Sequence, residues 1–249
     1  MKNLKLLVLF GTLFLLTSMV SCQDIDEVLE NHSEAIGQEK LNKVQTIIIK
    51  GKTLMRENER PFTTYVKRPN KFRTETSMME REIIRGFDGE NNWTYSPGGQ
   101  PSGREGMGGG RMGRPGGQRS GQMGDHEYFG SQLYNWKEKG HKLEFAETTT
   151  MEGTDVYKLK LTNSGGDITY YFLDAESFMI LKQTRTMQRM DMEFESETYF
   201  SNYKMIDGVA IAFSRETKVN GQTMMHQTIE SIEFDKEIDD SMFKEPEKE

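Results

Sequence analysis

The first amphipathic pattern in the chain has helical spacing. Asp24 and Glu27 resemble a capping box at its start, and Gly37 supplies a stop signal at its end. One face carries residues at offsets of 0, 3, 4, 7 and 11, namely Ile25, Val28, Leu29, His32 and Ile36. This pattern predicts an amphipathic helix that needs an apolar surface to pack on.

From Thr46 onward the pattern changes to an alternation with period two, which is typical of strands. Short turn sequences rich in Asp, Asn and Gly separate the runs, so consecutive strands are expected to be antiparallel neighbours. The runs are Ile47–Met55, Phe62–Arg68, Glu82–Phe87, Asn92–Ser96, Lys142–Thr149, Asp155–Leu161, Ile168–Leu173, Met179–Gln188, Asp191–Phe200, Val209–Thr217 and Thr223–Phe234. The sequence therefore predicts a mainly β (α+β) fold, with an antiparallel meander of about ten strands that must curl or close.

The strands alternate between an apolar and a charged face. In one run Met192 and Phe194 alternate with Glu193 and Glu195, so one face is expected to meet water. The apolar face includes many of the 17 methionines, whose flexible side chains adapt to variable shapes. Taken singly these methionines fit an ordinary core, whereas as a set they allow a deformable apolar cavity.

A Gly/Arg-rich insertion interrupts the strand pattern at 97–124. Twelve of its 28 residues are Gly, and it cannot bury apolar surface, so a flexible, solvated loop is predicted. After it, Asp125 can cap a second amphipathic helix that ends at Gly140. The apolar face of this predicted helix carries Phe129, Leu133 and Trp136.

The N-terminus has the features of an export signal. Lys2 and Lys5 precede the apolar run of residues 6–16, which is too short to span a membrane as a mature helix. The signal ends at Cys22, which resembles the lipidated cysteine of a bacterial lipobox; ordinary cleavage before Gln23 is the alternative. We therefore expect a signal peptide over 1–22 and a mature domain over 23–249.

Composition excludes several classes of protein. Loss of Lys2 and Lys5 with the signal takes the net charge from −7 to −9, which argues against a nucleic-acid partner. Cys22 is the only cysteine, so a disulfide scaffold is excluded. The four histidines have no metal-binding spacing, and no nucleophile or phosphate-binding motif is present. We expect no cofactor, no metal and no catalytic residues, with a hydrolase of envelope lipid or glycan as a distant alternative.

An ordered set of short motifs resembles the LolA/LolB superfamily of periplasmic lipoprotein carriers. The set begins with the V-K-R-P-N-x-F stretch at 66–72, followed by Phe87-Asp88-Gly89 and the Trp93-x-Tyr95-x-Pro97 run. It continues with Tyr171-Phe172-Leu173-Asp174, residues 203–209 and Phe243. The resemblance covers nearly all of the mature chain apart from the insertion.

The resemblance implies an unclosed antiparallel half-barrel whose concave apolar face is lidded by helices. In that family the Arg of the R-P-N segment hydrogen-bonds the lid, and Arg68 occupies this position. From the residues alone, Arg68 either needs a buried partner or reaches solvent beside Pro69. We expect the lid to carry Ile25, Val28, Leu29, Ile36, Phe129, Leu133 and Trp136, and the cargo cavity to be lined by Ile47, Ile49, Phe62, Val66, Leu159, Phe172, Met192 and Phe194.

The implied function is non-enzymatic transfer of acyl chains of lipoproteins or lipids, in the periplasm or at the outer membrane of a Gram-negative bacterium. A monomer is expected, attached to the outer membrane if Cys22 is lipidated. The alternative is an envelope sensor or structural lipoprotein that uses the same shell to bind a protein partner.

Overall fold

The computed structural model describes residues 25–55, 57–78, 81–96, 128–189 and 192–247. The predicted signal segment with Cys22 and the Gly/Arg-rich insertion at 97–124 lie outside the described residues.

Two helices precede the sheet. The first predicted helix is confirmed as α1 (Ile25–Ile36), and its inward face buries Val28 and His32. Gly37 follows with a φ of 70°, a left-handed conformation that Gly adopts without strain, and the chain continues directly into α2 (Gln38–Leu41). Because any side chain at Gly37 would overlap the Gly208 carbonyl, this glycine also lets the helix junction approach the sheet closely.

In the described part of the chain, twelve antiparallel strands form one sheet, where about ten were expected and eleven runs had strand-like alternation. The additional strand of the first half, β3, was not predicted, because Phe72 is its one large aliphatic or aromatic residue before the final Met78. The strands are β1 (Thr46–Met55), β2 (Asn58–Lys67), β3 (Lys71–Met78), β4 (Arg81–Phe87), β5 (Asn92–Tyr95), β6 (Lys142–Met151), β7 (Thr154–Thr162), β8 (Ile168–Asp174), β9 (Ile180–Arg189), β10 (Met192–Ile206), β11 (Val209–Val219) and β12 (Gln222–Phe234).

The strand order is β5-β4-β3-β2-β1-β12-β11-β10-β9-β8-β7-β6. Among the described strands, consecutive strands pair with one another except β5 and β6. The two halves of the sheet are joined where β1 also pairs with β12, with Ile47 opposite Phe234. The sheet is unclosed, since β5 and β6 form its two edges. The expected open half-barrel is thereby confirmed.

The two faces of the sheet are covered differently. The inner face, defined by Ile47, Val66 and Leu159, packs against a covering layer made of residues 25–45 and 128–140. The outer face of the first strands packs instead against the C-terminal segment, where Phe243 is fully buried and Trp93 Nε1 donates a 2.8 Å hydrogen bond to its carbonyl. Among the described residues, the C-terminal segment thus packs on part of the outer face and the covering layer on part of the inner face.

The predicted second helix is wrong for the described residues 129–140, which form turns. Gly130 and Asn135 have φ values of 132° and 51°, which a right-handed helix does not allow. The turns include hydrogen bonds between residues three apart in sequence, such as Tyr134 N–H to Ser131 O. The helical spacing of the apolar residues arose because successive turns direct them to the same surface of the sheet.

Candidate functional site

Arg68 fastens the covering layer to the end of β2. Its Nε donates a 2.8 Å hydrogen bond to the Val44 carbonyl, and its Nη2 donates a 3.2 Å bond to the Leu41 carbonyl at the end of α2. The guanidinium also lies 3.9 Å from the centre of the Phe129 ring. Of the two alternatives for Arg68, the structure has the one in which its donors are bound within the protein.

The fastened part of the covering layer closes over one apolar cluster, here called the α2 cluster. It consists of buried Leu41, Val44, Ile47, Val66, Phe129, Val209, Phe213 and Ile232, with Ile49 packed at its margin. The cluster joins the consecutive elements α2, β1 and β2 to β11 and β12, which are distant from them in sequence. Loss of the two Arg68 hydrogen bonds would therefore first loosen the part of the covering layer that lies over the α2 cluster.

Phe62, another predicted cavity residue, lies farther along β2 and is not a member of the α2 cluster. It lies on the same strand face as Val66 and is 8% exposed. Its cross-strand partner is Gly51, where β1 also has a bulge against β12. A side chain at Gly51 would collide with the Phe62 ring and with the Thr228 carbonyl, so this glycine makes room for the ring.

A second cluster, the α1 cluster, lies under the first helix. Val28 and Leu159 are both fully buried in it, and Leu133 is 2% exposed. Ile25, Leu29 and Trp136 pack against it from the covering layer. The structure thus brings together most of the predicted lid residues, but it divides them between two clusters, since Phe129 belongs to the α2 cluster.

Two predicted cavity residues of the later strands, Phe172 and Phe194, are not brought into these clusters. Phe172 lies on the outer face, because it is opposite Lys158 in the ladder and its ring lies 5.8 and 5.4 Å from the ammonium groups of Lys158 and Lys182. Phe194 is half-buried and shares a strand face with Phe200, which touches the α1 cluster. Met192 pairs with Arg189 at the far end of the ladder, and its side chain is outside the described part.

Two buried polar residues of the covering layer were missed as site residues. His32 is 3% exposed, and its Nδ1 donates a 2.8 Å hydrogen bond to the Phe178 carbonyl. Burial lowers the pKa of His32 below its ordinary value, although the bond to Phe178 opposes the shift. Its place on the apolar face of α1 was a usable signal for burial.

Gln38 was not singled out from the sequence at all. It is 1% exposed, and its Nε2 donates to Asn42 Oδ1 at 2.8 Å and to the Phe129 carbonyl at 3.2 Å. Within the described ranges, its Oε1 is a buried side-chain atom without a hydrogen-bond partner. Nothing in the sequence distinguishes Gln38 from an exposed residue of a helix, because its burial depends on the distant residues 129–130.

The described residues hold no group of three or more metal-ligating side chains. Among the helices of this part of the chain, none is long and apolar enough to cross a membrane.

No protein-family model matches this sequence, and no curated protein does so either. Solved structures do resemble the fold. A domain named for outer membrane lipoprotein sorting, from Vibrio parahaemolyticus, superposes with a TM-score of 0.56 at 13% identity, over 88% of this chain and 96% of that one.

Two further structures show the same resemblance. A LolA superfamily protein from Nitrosomonas europaea gives a TM-score of 0.55 at 12% identity, over 88% of this chain and 97% of that one. A DUF1329 family protein from Desulfovibrio piger gives 0.54 at 12% identity, over 87% and 97%.

The structural class of this chain is the open half-barrel: an unclosed antiparallel sheet whose inner face packs against the covering layer. More particularly, its fold is LolA-like, which confirms at the level of fold the resemblance seen in the sequence motifs.

Proposed function

We propose that this protein binds the acyl chains of lipoproteins or lipids on the inner face of its sheet and transfers them without catalysing a reaction. The observation that carries the proposal is an apolar face closed by a covering layer, whose α2 end Arg68 binds through two backbone carbonyls. The similarity in fold to a domain named for lipoprotein sorting supports it.

The free energies of the empty and cargo-bound states explain why the Arg68 hydrogen bonds matter. The covering layer occupies the apolar surface that a cargo chain would use, since Val28 and Leu133 fill the α1 cluster and Phe129 fills the α2 cluster. An acyl chain that displaces this layer gains about 0.8 kcal/mol for each methylene it buries. Hydrogen bonds from Arg68 stabilise the closed, empty state, so they favour release of cargo.

Binding of a fluorescent fatty acid tests the proposal, with Arg68→Leu as the principal variant. Loss of the charge-assisted bonds destabilises the closed state, so we expect the apparent affinity for the probe to rise by about tenfold and its release to slow. Arg73→Leu is the matched control, because Arg73 also donates to a carbonyl, that of Met242, but from the outer face of the sheet. Equal affinity of wild type and Arg68→Leu would contradict the role of Arg68.

A second pair of variants tests which face binds the probe. Ile49→Ser alters the margin of the α2 cluster, whereas Phe172→Ser alters the outer face; both side chains are partly buried. We expect Ile49→Ser to weaken binding severalfold and Phe172→Ser to leave it unchanged. Failure of wild type to bind any acyl probe, together with capture of a stable protein complex, would favour a partner-binding protein over a carrier.

The proposal places the protein in the periplasm or at the outer membrane of a Gram-negative bacterium, with Cys22 as its lipid anchor. Mass measurement of the mature N-terminus tests this directly. A multiply acylated Cys22 supports an anchored acceptor, and a chain that begins at Gln23 supports a soluble shuttle.

A further inference from the structure

Four polar side chains form a continuous row across the inner face of the sheet, here called the arginine row. Arg60 of β2 lies opposite Thr53 of β1, which in turn lies opposite Gln227 of β12. Gln227 lies opposite Arg215 of β11. The row is on the inner face because Arg60 has the same strand parity as Phe62. All four side chains are half-buried, so a ligand on this face can reach them.

The next row of the inner face is apolar. Phe62 lies opposite Gly51, and Gly51 lies opposite Ile229. Phe62 is 8% exposed, and Ile229 packs at the margin of the α2 cluster. The inner face thus changes from apolar to polar between one row of residues and the next. This profile suits a molecule that has a hydrocarbon part and a polar head.

Acidic residues are absent from the inner face of the four described strands that form the arginine row. The acidic residues of β1, β2, β11 and β12 all lie on the outer face, namely Glu59, Glu216, Glu230 and Glu233. Lys52 on that face lies 3.0 Å from Glu59 Oε1 and 3.6 Å from Glu230 Oε1. The charged residues on the inner face of these strands are both arginines, although the whole chain has a net charge of −7. This part of the face therefore attracts anions.

The chemistry of the arginine row matches a phosphate group. Arginine presents paired N–H donors that bind two phosphate oxygens together, and the Thr53 hydroxyl and Gln227 amide add neutral donors. The central carbon of the Arg215 guanidinium lies 5.2 Å from the centre of the Phe200 ring, and Arg60 Nη1 lies 3.9 Å from Met55 Sδ. An anion beside such apolar groups interacts with a guanidinium more strongly than it does in water.

We propose that the arginine row binds the phosphate of an anionic lipid whose acyl chains lie on the apolar part of the inner face. Neighbouring strands are about 4.8 Å apart, so the backbones of the two arginines are separated by about 14 Å. A phosphate that lies over Thr53 and Gln227 has one arginine on each side. The inference rests on the proposed acyl-binding function and names its substrate class, a lipid with a phosphate headgroup in place of an uncharged diacylglyceryl group.

Three probes separate the contribution of the phosphate from that of the acyl chains. Dioctanoyl phosphatidate has both parts, dioctanoylglycerol lacks the phosphate, and glycerol 3-phosphate lacks the chains. In calorimetric titration at neutral pH, below the micellar concentrations, we expect the phosphatidate to bind about tenfold more tightly than dioctanoylglycerol. We expect glycerol 3-phosphate not to bind measurably.

The outcomes distinguish this inference from the function on which it rests. Equal affinities for the two diacyl probes would overturn the inference alone, whereas binding of neither would overturn the acyl-binding function with it. Glycerol 3-phosphate that binds as tightly as the phosphatidate would assign the row to a soluble phosphate and would also overturn the inference.

Variants assign the phosphate to the row. Arg60→Gln and Arg215→Gln should each lower the affinity for dioctanoyl phosphatidate about fivefold and leave that for dioctanoylglycerol unchanged. Lys52→Gln is the matched control, since it removes the same charge from the outer face of β1. Unchanged binding of dioctanoylglycerol shows that a variant is folded, and Arg60→Gln keeps the test decisive if Arg215→Gln, which loses the contact with Phe200, does not fold. An Arg60→Gln protein with undiminished phosphatidate affinity, or an equal loss in Lys52→Gln, contradicts the proposal.

Discussion

The guanidinium of Arg68 stacks on the ring of Phe129 with 3.9 Å between its central carbon and the ring centre. These residues come from opposite sides of the Gly/Arg-rich segment in sequence, one at the end of β2 and the other in the turns before β6. The pair therefore fixes the turn segment to the same point at which Arg68 holds α2.

The first prediction concerns the energy of this pair. Phe129→Leu keeps an apolar side chain in the α2 cluster but removes the aromatic face, so it should abolish the cation–π contribution of Arg68. A double-mutant cycle with Arg68→Met should give a coupling free energy of about 1 kcal/mol in urea unfolding. Additive effects of the two substitutions would show that the contact contributes nothing to stability.

A second prediction concerns pH. Burial lowers the pKa of His32 below its ordinary value of 6.5, so the unfolded chain binds this proton more readily than the folded one. The free energy of unfolding should therefore be highest above pH 6.5 and should fall as the pH decreases from 6.5 towards the lowered pKa. Each unit of pKa lowering corresponds to about 1.4 kcal/mol of this loss.

Urea unfolding of wild type and His32→Gln at pH 8 and pH 5 measures the effect of His32. The variant should be less stable at pH 8 but should lose less stability on acidification. Hydrogen bonds from backbone amides lower the pKa of Asp88, and hydrogen bonds from Lys67 and Lys71 lower the pKa of Asp240. The stability that these two carboxylates contribute is lost only below their ordinary pKa of 3.8. An identical pH dependence in both proteins would rule out His32 as its cause.

The contact between Gly86 and Trp93 gives a third prediction. A Cβ at Gly86 would overlap the Trp93 ring, whose indole N–H is hydrogen-bonded to the Phe243 carbonyl. Gly86→Ala should lower the free energy of unfolding by about 2 kcal/mol. The same substitution in a Trp93→Leu background should cost much less, because the ring that collides is gone; an equal cost in both backgrounds would disprove this cause.

A fourth prediction compares two residues of the C-terminal segment. Phe243 is fully buried against the outer face, so Phe243→Ala should cost about 3 to 5 kcal/mol. Asp240 pairs with Lys67 and Lys71 but is exposed, and water screens such pairs, so Asp240→Asn should leave the thermal midpoint nearly unchanged. A larger loss for Asp240→Asn than for Phe243→Ala would mean that charge, rather than packing, holds this segment.

The sheet was predictable where alternation and turn residues agree, as in β7 and β8. β3 was not predictable, because most residues on both of its faces are polar and no period-two pattern results. Its outer face carries the ion pair of Arg73 with Glu75. The inner or outer position of Phe172 could not be read from the run Tyr170–Leu173, which is apolar on both faces; its register opposite Lys158 decides it.

The covering layer was predictable only in part. Spacing and Gly37 gave the bounds of α1, whereas the turns at 129–140 depend on the positive φ of Asn135 and on packing against α2. The C-terminal cover was missed because Ile238 and Phe243 are isolated apolar residues in an acidic stretch, and tertiary contacts alone reveal their burial.

The strand order has a consequence for how the chain could be reconnected. β5 and β6 are consecutive in sequence but occupy opposite edges of the sheet, and no ladder of the described strands joins them. The two halves of the molecule meet instead through β1 and β12. A circular permutant that is opened between residues 97 and 127, with a linker from residue 247 to residue 25, would therefore keep every strand pairing of the sheet.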